Sequence, residues 1–129
     1  MADEQLIVQM VLSLVFLLIV KHFIVDFVLQ TDKMVHEKGT YGAWGGIYHS
    51  LGHGAFTYLA LAWLDPVDAI LPALFDMFVH YHVDWAKMNI NRHFGYTPQT
   101  PQFWMWLGID QLAHYLTYVI IIGWFCGAF

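Results

Sequence analysis

Histidine and aspartate recur four residues apart at four places in the chain: His22/Asp26, His49/His53, Asp76/His80/Asp84 and Asp110/His114. Residues four apart on a helix share one face, about 6 Å along the axis and roughly 40° round it. Each pair is then a two-headed polar face. Imidazole with carboxylate, and without thiolate, is a donor set for zinc, manganese or iron. Eight donors (His22, Asp26, His49, His53, His80, Asp84, Asp110 and His114) exceed the needs of one tetrahedral ion. They suit two ions sharing a carboxylate, or one ion whose imidazoles are oriented by further carboxylates. Two ions about 3.5–4 Å apart activate water and polarise a phosphoryl or acyl oxygen. One carboxylate among Asp26, Asp84 and Asp110 would then act as general base. Asp76 is open to three readings: ligand, proton carrier or partner for Lys21. His82 lies roughly 200° round the helix from His80 and reads as structural.

The elements that position these donors are four apolar stretches, at about residues 5–29, 43–64, 66–88 and 102–125. Each is long enough to cross a hydrocarbon core of about 30 Å. Gly39-Thr40-Tyr41-Gly42, Asp65-Pro66 and the run from Tyr96 to Pro101 punctuate them. Pro72 falls in the first turns of the third span, where a membrane helix tolerates it with a kink. The first span follows Asp3 and Glu4, is overlong and has no small-residue cleavage site, so it reads as a span and not a cleavable leader. Lys33, Lys38, Lys87 and Arg92 fall at one end of the spans, while Asp3, Glu4, Asp65 and Asp68 fall at the other. The positive-inside rule therefore expects both termini outside a bacterial inner membrane and the longer loops in the cytosol. Lys33, His36, Lys38, Arg92 and His93 read as anchors at that face, with head-group contact as the alternative. Gly42, Gly45, Gly46, Gly52 and Gly54 read as points of close helix approach.

In that orientation all four pairs fall in the cytosolic half at overlapping depths, so they can converge. Lys21 must snorkel or find a partner. The two halves of the chain also echo one another. His22-Phe-Ile-Val-Asp26-Phe27 returns as His80-Tyr-His-Val-Asp84-Trp85, and His49-Ser-Leu-Gly-His53 as Asp110-Gln-Leu-Ala-His114. Each half would be a helical hairpin, related to the other by an axis along the membrane normal.

Composition sets the bounds. Of 129 residues, 59% are hydrophobic and 12% charged, against about 45–50% and about 25% in soluble domains. Disorder is excluded, and a single all-α domain in a membrane accommodates so apolar a chain better than a soluble globule. The net charge of -5 argues against nucleic acid as a partner. A single cysteine, Cys126, excludes an internal disulfide framework and a multi-cysteine zinc site.

The run His22-Phe-Ile-Val-Asp26-Phe27-Val-Leu29-Gln30 resembles the small membrane-protein family of bacteria and phages known as domain of unknown function 3307. That family opens on H-x-x-x-D-F-x-L-Q, which His22, Asp26, Phe27, Leu29 and Gln30 match, and its later pairs correspond to His49/His53, His80/Asp84 and Asp110/His114. The resemblance implies an integral membrane protein and no particular activity. A weaker similarity, confined to the His/Asp-rich helices, is to the LexA-regulated inner-membrane family of metal-dependent hydrolases. The leading expectation is a metal-dependent hydrolase acting on a lipid, a lipid-linked phosphate or another amphiphile from the cytosolic leaflet. Alternatives are a transporter or sensor of divalent metal or protons, a diiron oxidase, and a holin-like or exclusion protein of a phage.

Overall fold

The computed structural model describes residues 2–128, and among them every regular element is helical. Helix α1 (Ala2–Phe23) continues into a wider π turn (Ile24–Val28), closed by the Leu29 N–H on the Ile24 carbonyl at 2.9 Å. A short helix α2 (Asp32–Glu37) follows, opened by the Thr31 hydroxyl accepting from the Met34 N–H. Helices α3 (Trp44–Ala62), α4 (Ile70–Phe94) and α5 (Pro101–Phe125) complete the bundle. Pro101 begins α5, where its missing N–H costs nothing. Gly95 ends α4 at φ 68°, the left-handed cap that glycine adopts without penalty.

The long helices form a ring. Helix α1 packs on α3 and α5, α4 packs on the same two, and α1 and α4 face each other across the diagonal. Between them the core has two tiers. One holds Leu14, Leu18, Ala60, Leu61, Ala69, Tyr118, Ile121 and Ile122. The other holds His22, Asp26, His49, His53, His80, Asp84, Asp110 and His114, all buried. The outside is apolar: Leu12, Phe16, Phe23, Phe27, Leu59, Phe78, Leu112, Leu116 and Val119 are each at least half exposed. Polar residues inside and apolar residues outside invert the pattern of a water-soluble helix bundle.

Two segments, Asp3–Val28 and Pro101–Phe125, are long and apolar enough to cross a membrane. Helices α3 and α4, expected as spans, fall short of that hydropathy. Buried polar residues account for much of the shortfall, His49, Ser50 and His53 on α3 and Asp76, His80 and Asp84 on α4, together with the polar end of α4 at Arg92 and His93. Other boundaries shift as well. The third helix begins at Ile70, not Pro66, and runs on to Phe94, so Arg92 and His93 lie in its last turn and not in a loop. Pro72 sits at the third helical position, where no intrahelical N–H bond is lost and no kink is required.

Three of the glycines do permit close approach. A Cβ on Gly54 would lie 3.0 Å from Met77 Cβ and 3.1 Å from the Ala73 carbonyl, so it fixes the α3–α4 spacing. Gly45 and Gly46 seat α2 and the following turn against α3, and the Gly45 N–H donates to Glu37 Oε2 at 2.6 Å. Gly42 instead turns the chain at φ 80° with nothing packed on it.

Candidate metal centre

Each long helix lowers its paired face into the second tier, and the pairs meet. The π turn carries Asp26 to the centre, where its Oδ1 lies 2.9 Å from His49 Nε2, 3.2 Å from His53 Nε2 and 3.6 Å from His80 Nε2. His49 Nε2 and His80 Nε2 are 3.1 Å apart. With metal–ligand bonds of about 2.0–2.2 Å, a tetrahedron has edges of about 3.3–3.6 Å. The four donors Asp26, His49, His53 and His80 are thus close to the spacing of a tetrahedral shell, and they form one of two buried groups able to hold a metal ion.

The second group is His80, Asp84 and His114. Asp84 Oδ2 lies 3.3 Å from His80 Nε2, and Asp84 Oδ1 lies 3.7 Å from His114 Nε2. His80 stands between the groups, stacked on His53 at a centroid distance of 3.4 Å and on His114 at 3.9 Å. His80 Nδ1, His49 Nδ1, His114 Nε2 and Asp110 Oδ1 are buried without a hydrogen bond, and Asp84 Oδ2 receives no aligned donor. Buried polar atoms without partners are uncommon in folded proteins. His114 Nε2, a donor of the second group, is left open in this way, and the imidazole–carboxylate donor set fits a divalent ion.

Two expected ligands lie just outside these groups. His22 has both nitrogens engaged: Nδ1 with the Tyr118 hydroxyl at 2.8 Å, and Nε2 with Gln111 Oε1 at 2.8 Å and Asp26 Oδ2 at 3.0 Å. It fixes the orientation of Asp26. Asp110 accepts from Lys87 Nζ and Gln111 Nε2, each at 3.1 Å, while its Oδ1 lies 3.6 Å from His114 Nε2. Gln111 therefore links His22 to Asp110. Gln30, the last residue of the opening motif, keeps a buried Oε1 without a hydrogen bond.

Asp76 turns out to be the partner of Lys21. Lys21 Nζ donates to Asp76 Oδ2 at 2.6 Å, the Thr57 hydroxyl donates to the same oxygen at 2.6 Å, and Nζ lies 3.2 Å from His53 Nδ1. Lys21 does not snorkel out. His82 points outward as its helical phase demands, Nδ1 donating to the Phe78 carbonyl and Nε2 meeting the Tyr41 hydroxyl.

Two residues enter the site that their sequence positions do not announce. Lys38 is buried, with Nζ 2.8 Å from Asp84 Oδ2 and 3.8 Å from Asp26 Oδ1. Lys87 places Nζ 3.1 Å from Asp110 Oδ2 and 3.5 Å from Asp84 Oδ1. Both read as loop or helix-end anchors in the sequence. Lys87 carries a signal in hindsight, since it lies three residues after Asp84 on the same helix face. Lys38 reaches the site only because α2 folds back over the end of α3, and no spacing rule encodes that.

A ring of four helices enclosing a buried His/Asp cluster able to hold a metal defines the class. The chain belongs to the family described as Protein of unknown function (DUF3307), whose model matches residues 14–128 and so takes in all four pairs. No curated protein and no solved structure gives a significant match.

Proposed function

We propose that this protein is a membrane-embedded, metal-dependent hydrolase whose reactive centre lies between Asp26 and Asp84. The observation that carries the reading is the convergence of Asp26 Oδ1 with three imidazole nitrogens from two other helices at near-tetrahedral spacing. Asp26, His49 and His53 hold one divalent ion, zinc, manganese or iron. Asp84 and His114 hold a second, and His80 completes whichever shell is short of a donor. A bound ion supplies Lewis acidity toward a phosphoryl or acyl oxygen. The chain supplies the rest. His22 and Gln111 orient the carboxylates, and Asp110 Oδ1, which has no hydrogen-bond donor, takes a proton from the attacking water. The ester bond breaks as the water oxygen bonds to the acyl carbon or phosphorus, and the proton passes to the departing alcohol.

The apolar exterior supports four membrane-crossing helices, with much of the hydropathy deficit of α3 and α4 coming from the buried His49, Ser50, His53, Asp76, His80 and Asp84. The cation-rich end, with Lys38, Lys87 and Arg92, is then cytosolic and both termini lie outside. A transporter of the same ions is disfavoured by the other tier. Leu14, Leu18, Leu61 and Ile121 are wholly buried between the site and the outer face, with no further ionisable step.

The test is metal content per chain in detergent-purified protein, followed by hydrolysis of phosphate and carboxyl esters of lipids by the loaded form. One or two tightly held ions in the parent and none in His53→Ala, with ester cleavage that follows metal content, is the expected result. A parent that binds no divalent metal would overturn the reading.

A further inference from the structure

A narrow groove between α4 and α5 opens on the apolar exterior and ends against Lys87 and Asp110 at the margin of the cluster. Its volume is about 200 Å³, and Val83, Ala86, Ile90, Trp106, Ile109 and Ala113 form most of its wall. The remaining lining residues are Lys87 and Asp110. Asp110 is 3% exposed, so it marks the inner end of the groove. A larger groove between α3 and α4, about 380 Å³, is lined by apolar residues such as Leu51, Tyr58 and Met77 and touches none of the cluster. Of the two, only the α4–α5 groove is lined by residues that contact the cluster.

The charge balance says what its inner end receives. Lys21 and Asp76 cancel one another. Asp26, Asp84 and Asp110 then face Lys38 and Lys87, a balance of one negative charge with the histidines neutral. One divalent ion turns this into a surplus of one positive charge, and two ions into a surplus of three. A surplus of that size, buried, needs an anion to offset it. A phosphate monoester brings about -1.5 to -2 at neutral pH, whereas a neutral carboxyl ester brings nothing. The two ammonium groups also bracket Asp84, so an ion that takes Asp84 frees Lys38, while Lys87 stays on Asp110 Oδ2 at 3.1 Å and turns its remaining N–H donors to phosphate oxygens.

We infer that the substrate is a lipid with a phosphate head group, its head held by Lys87 and Lys38 and its chain lying in the α4–α5 groove. The inference rests on the hydrolase reading for which end of the lipid reacts, and it adds the substrate class and the route. The groove is smaller than a pocket for a drug-sized soluble ligand, about 300–1,000 Å³. It therefore takes the chain segment next to the head, and the rest lies along the exposed Met105, Leu112 and Leu116 of α5.

Trp106 in the groove wall gives the readout. Purified protein in detergent is titrated with phosphatidic acid, phosphatidylcholine and diacylglycerol carrying brominated chains, and tryptophan quenching is followed in the parent and in Trp106→Phe. The quenching that disappears in Trp106→Phe should saturate at a concentration at least tenfold lower for phosphatidic acid than for the other two. Lys87→Met should abolish that preference, Lys87→Arg should keep it, and Ala113→Phe, which fills the groove, should abolish the quenching itself. A tenfold excess of inorganic phosphate should not relieve it. Equal saturation by the three lipids, a preference that survives Lys87→Met, quenching that survives Ala113→Phe, or full relief by inorganic phosphate would each overturn the inference. Metal content measured on the same samples keeps the two readings apart. Metal without selective quenching overturns the lipid site and leaves the hydrolase standing, whereas protein without metal overturns both, because the positive surplus comes from the ions.

Discussion

Towards the chain termini, the space between the four long helices holds Leu14, Leu18, Leu61 and Ile121, each fully buried. One to two turns further in, the same helices enclose six imidazole and carboxylate donors of two groups able to hold a metal ion. The layer between these regions draws one residue from each helix: Lys21 from α1, Thr57 from α3, Asp76 from α4 and Tyr118 from α5. Lys21 Nζ lies 4.6 Å from the centre of the Tyr118 ring while its charge is met by Asp76. The difference between the regions is one of energetic origin. Leucine and isoleucine stabilise the bundle by filling space, whereas the His/Asp tier costs desolvation that only complete pairing or a bound ion offsets. A bundle built this way gains its stability at one end and its chemistry at the other.

Several substitutions would break or sharpen that division. The largest effect is expected from Asp26→Ala, which removes the oxygen shared by three imidazoles. Metal content at that group should fall to none by elemental analysis, while helix content by circular dichroism stays close to the parent value. Asp76→Ala comes next. It strands the Lys21 ammonium in the intermediate layer, and removing one partner of a buried ion pair costs about 3–5 kcal/mol. Denaturation in detergent should show that loss, and Lys21→Met combined with Asp76→Leu should recover most of it. Leu61→Ala in the apolar tier should cost about 2–5 kcal/mol with unchanged metal content. A loss of metal in this variant would mean that the two regions are not separable. Gln111→Ala is expected to weaken metal binding by about 10–100-fold, through the lost support of His22 and Asp110, with little effect on unfolding. The smallest effect belongs to Phe78→Leu on the exposed face, within about 0.5 kcal/mol of the parent.

Much of this division is legible in the sequence. The i, i+4 spacing alone places His49, His53, His80 and Asp84 on facing surfaces, because helical periodicity is a local property. It also sends His82 outward, while it leaves Lys21 either to snorkel or to find a partner, and the packing supplies Asp76. What the spacing leaves open is which of two donors on a face reaches the centre. His22 and Asp110 lie on the right faces yet touch the edge of the cluster, since that choice depends on rotamers and on neighbours such as Tyr118 and Gln111. Lys38 is beyond reach for a different reason. Its position depends on the fold of Asp32–Glu37 over α3, held by the Glu37 carboxylate on the Gly45 N–H, which is a long-range consequence of a short polar segment. The continuation of α4 to Phe94 was masked by its polar composition, which resembles a loop when read without the packing.

The π turn at Ile24–Val28 has a consequence for how the two halves of the chain compare. Asp26 stands on a widened turn and Asp84, which closes a similar His-x-x-x-Asp run, on a regular helix. Asp26 meets four imidazoles and one distant lysine, whereas Asp84 meets three imidazoles and both lysines. A chain with perfect internal symmetry would set both acids to the same task. One surplus residue in one turn divides the labour between them.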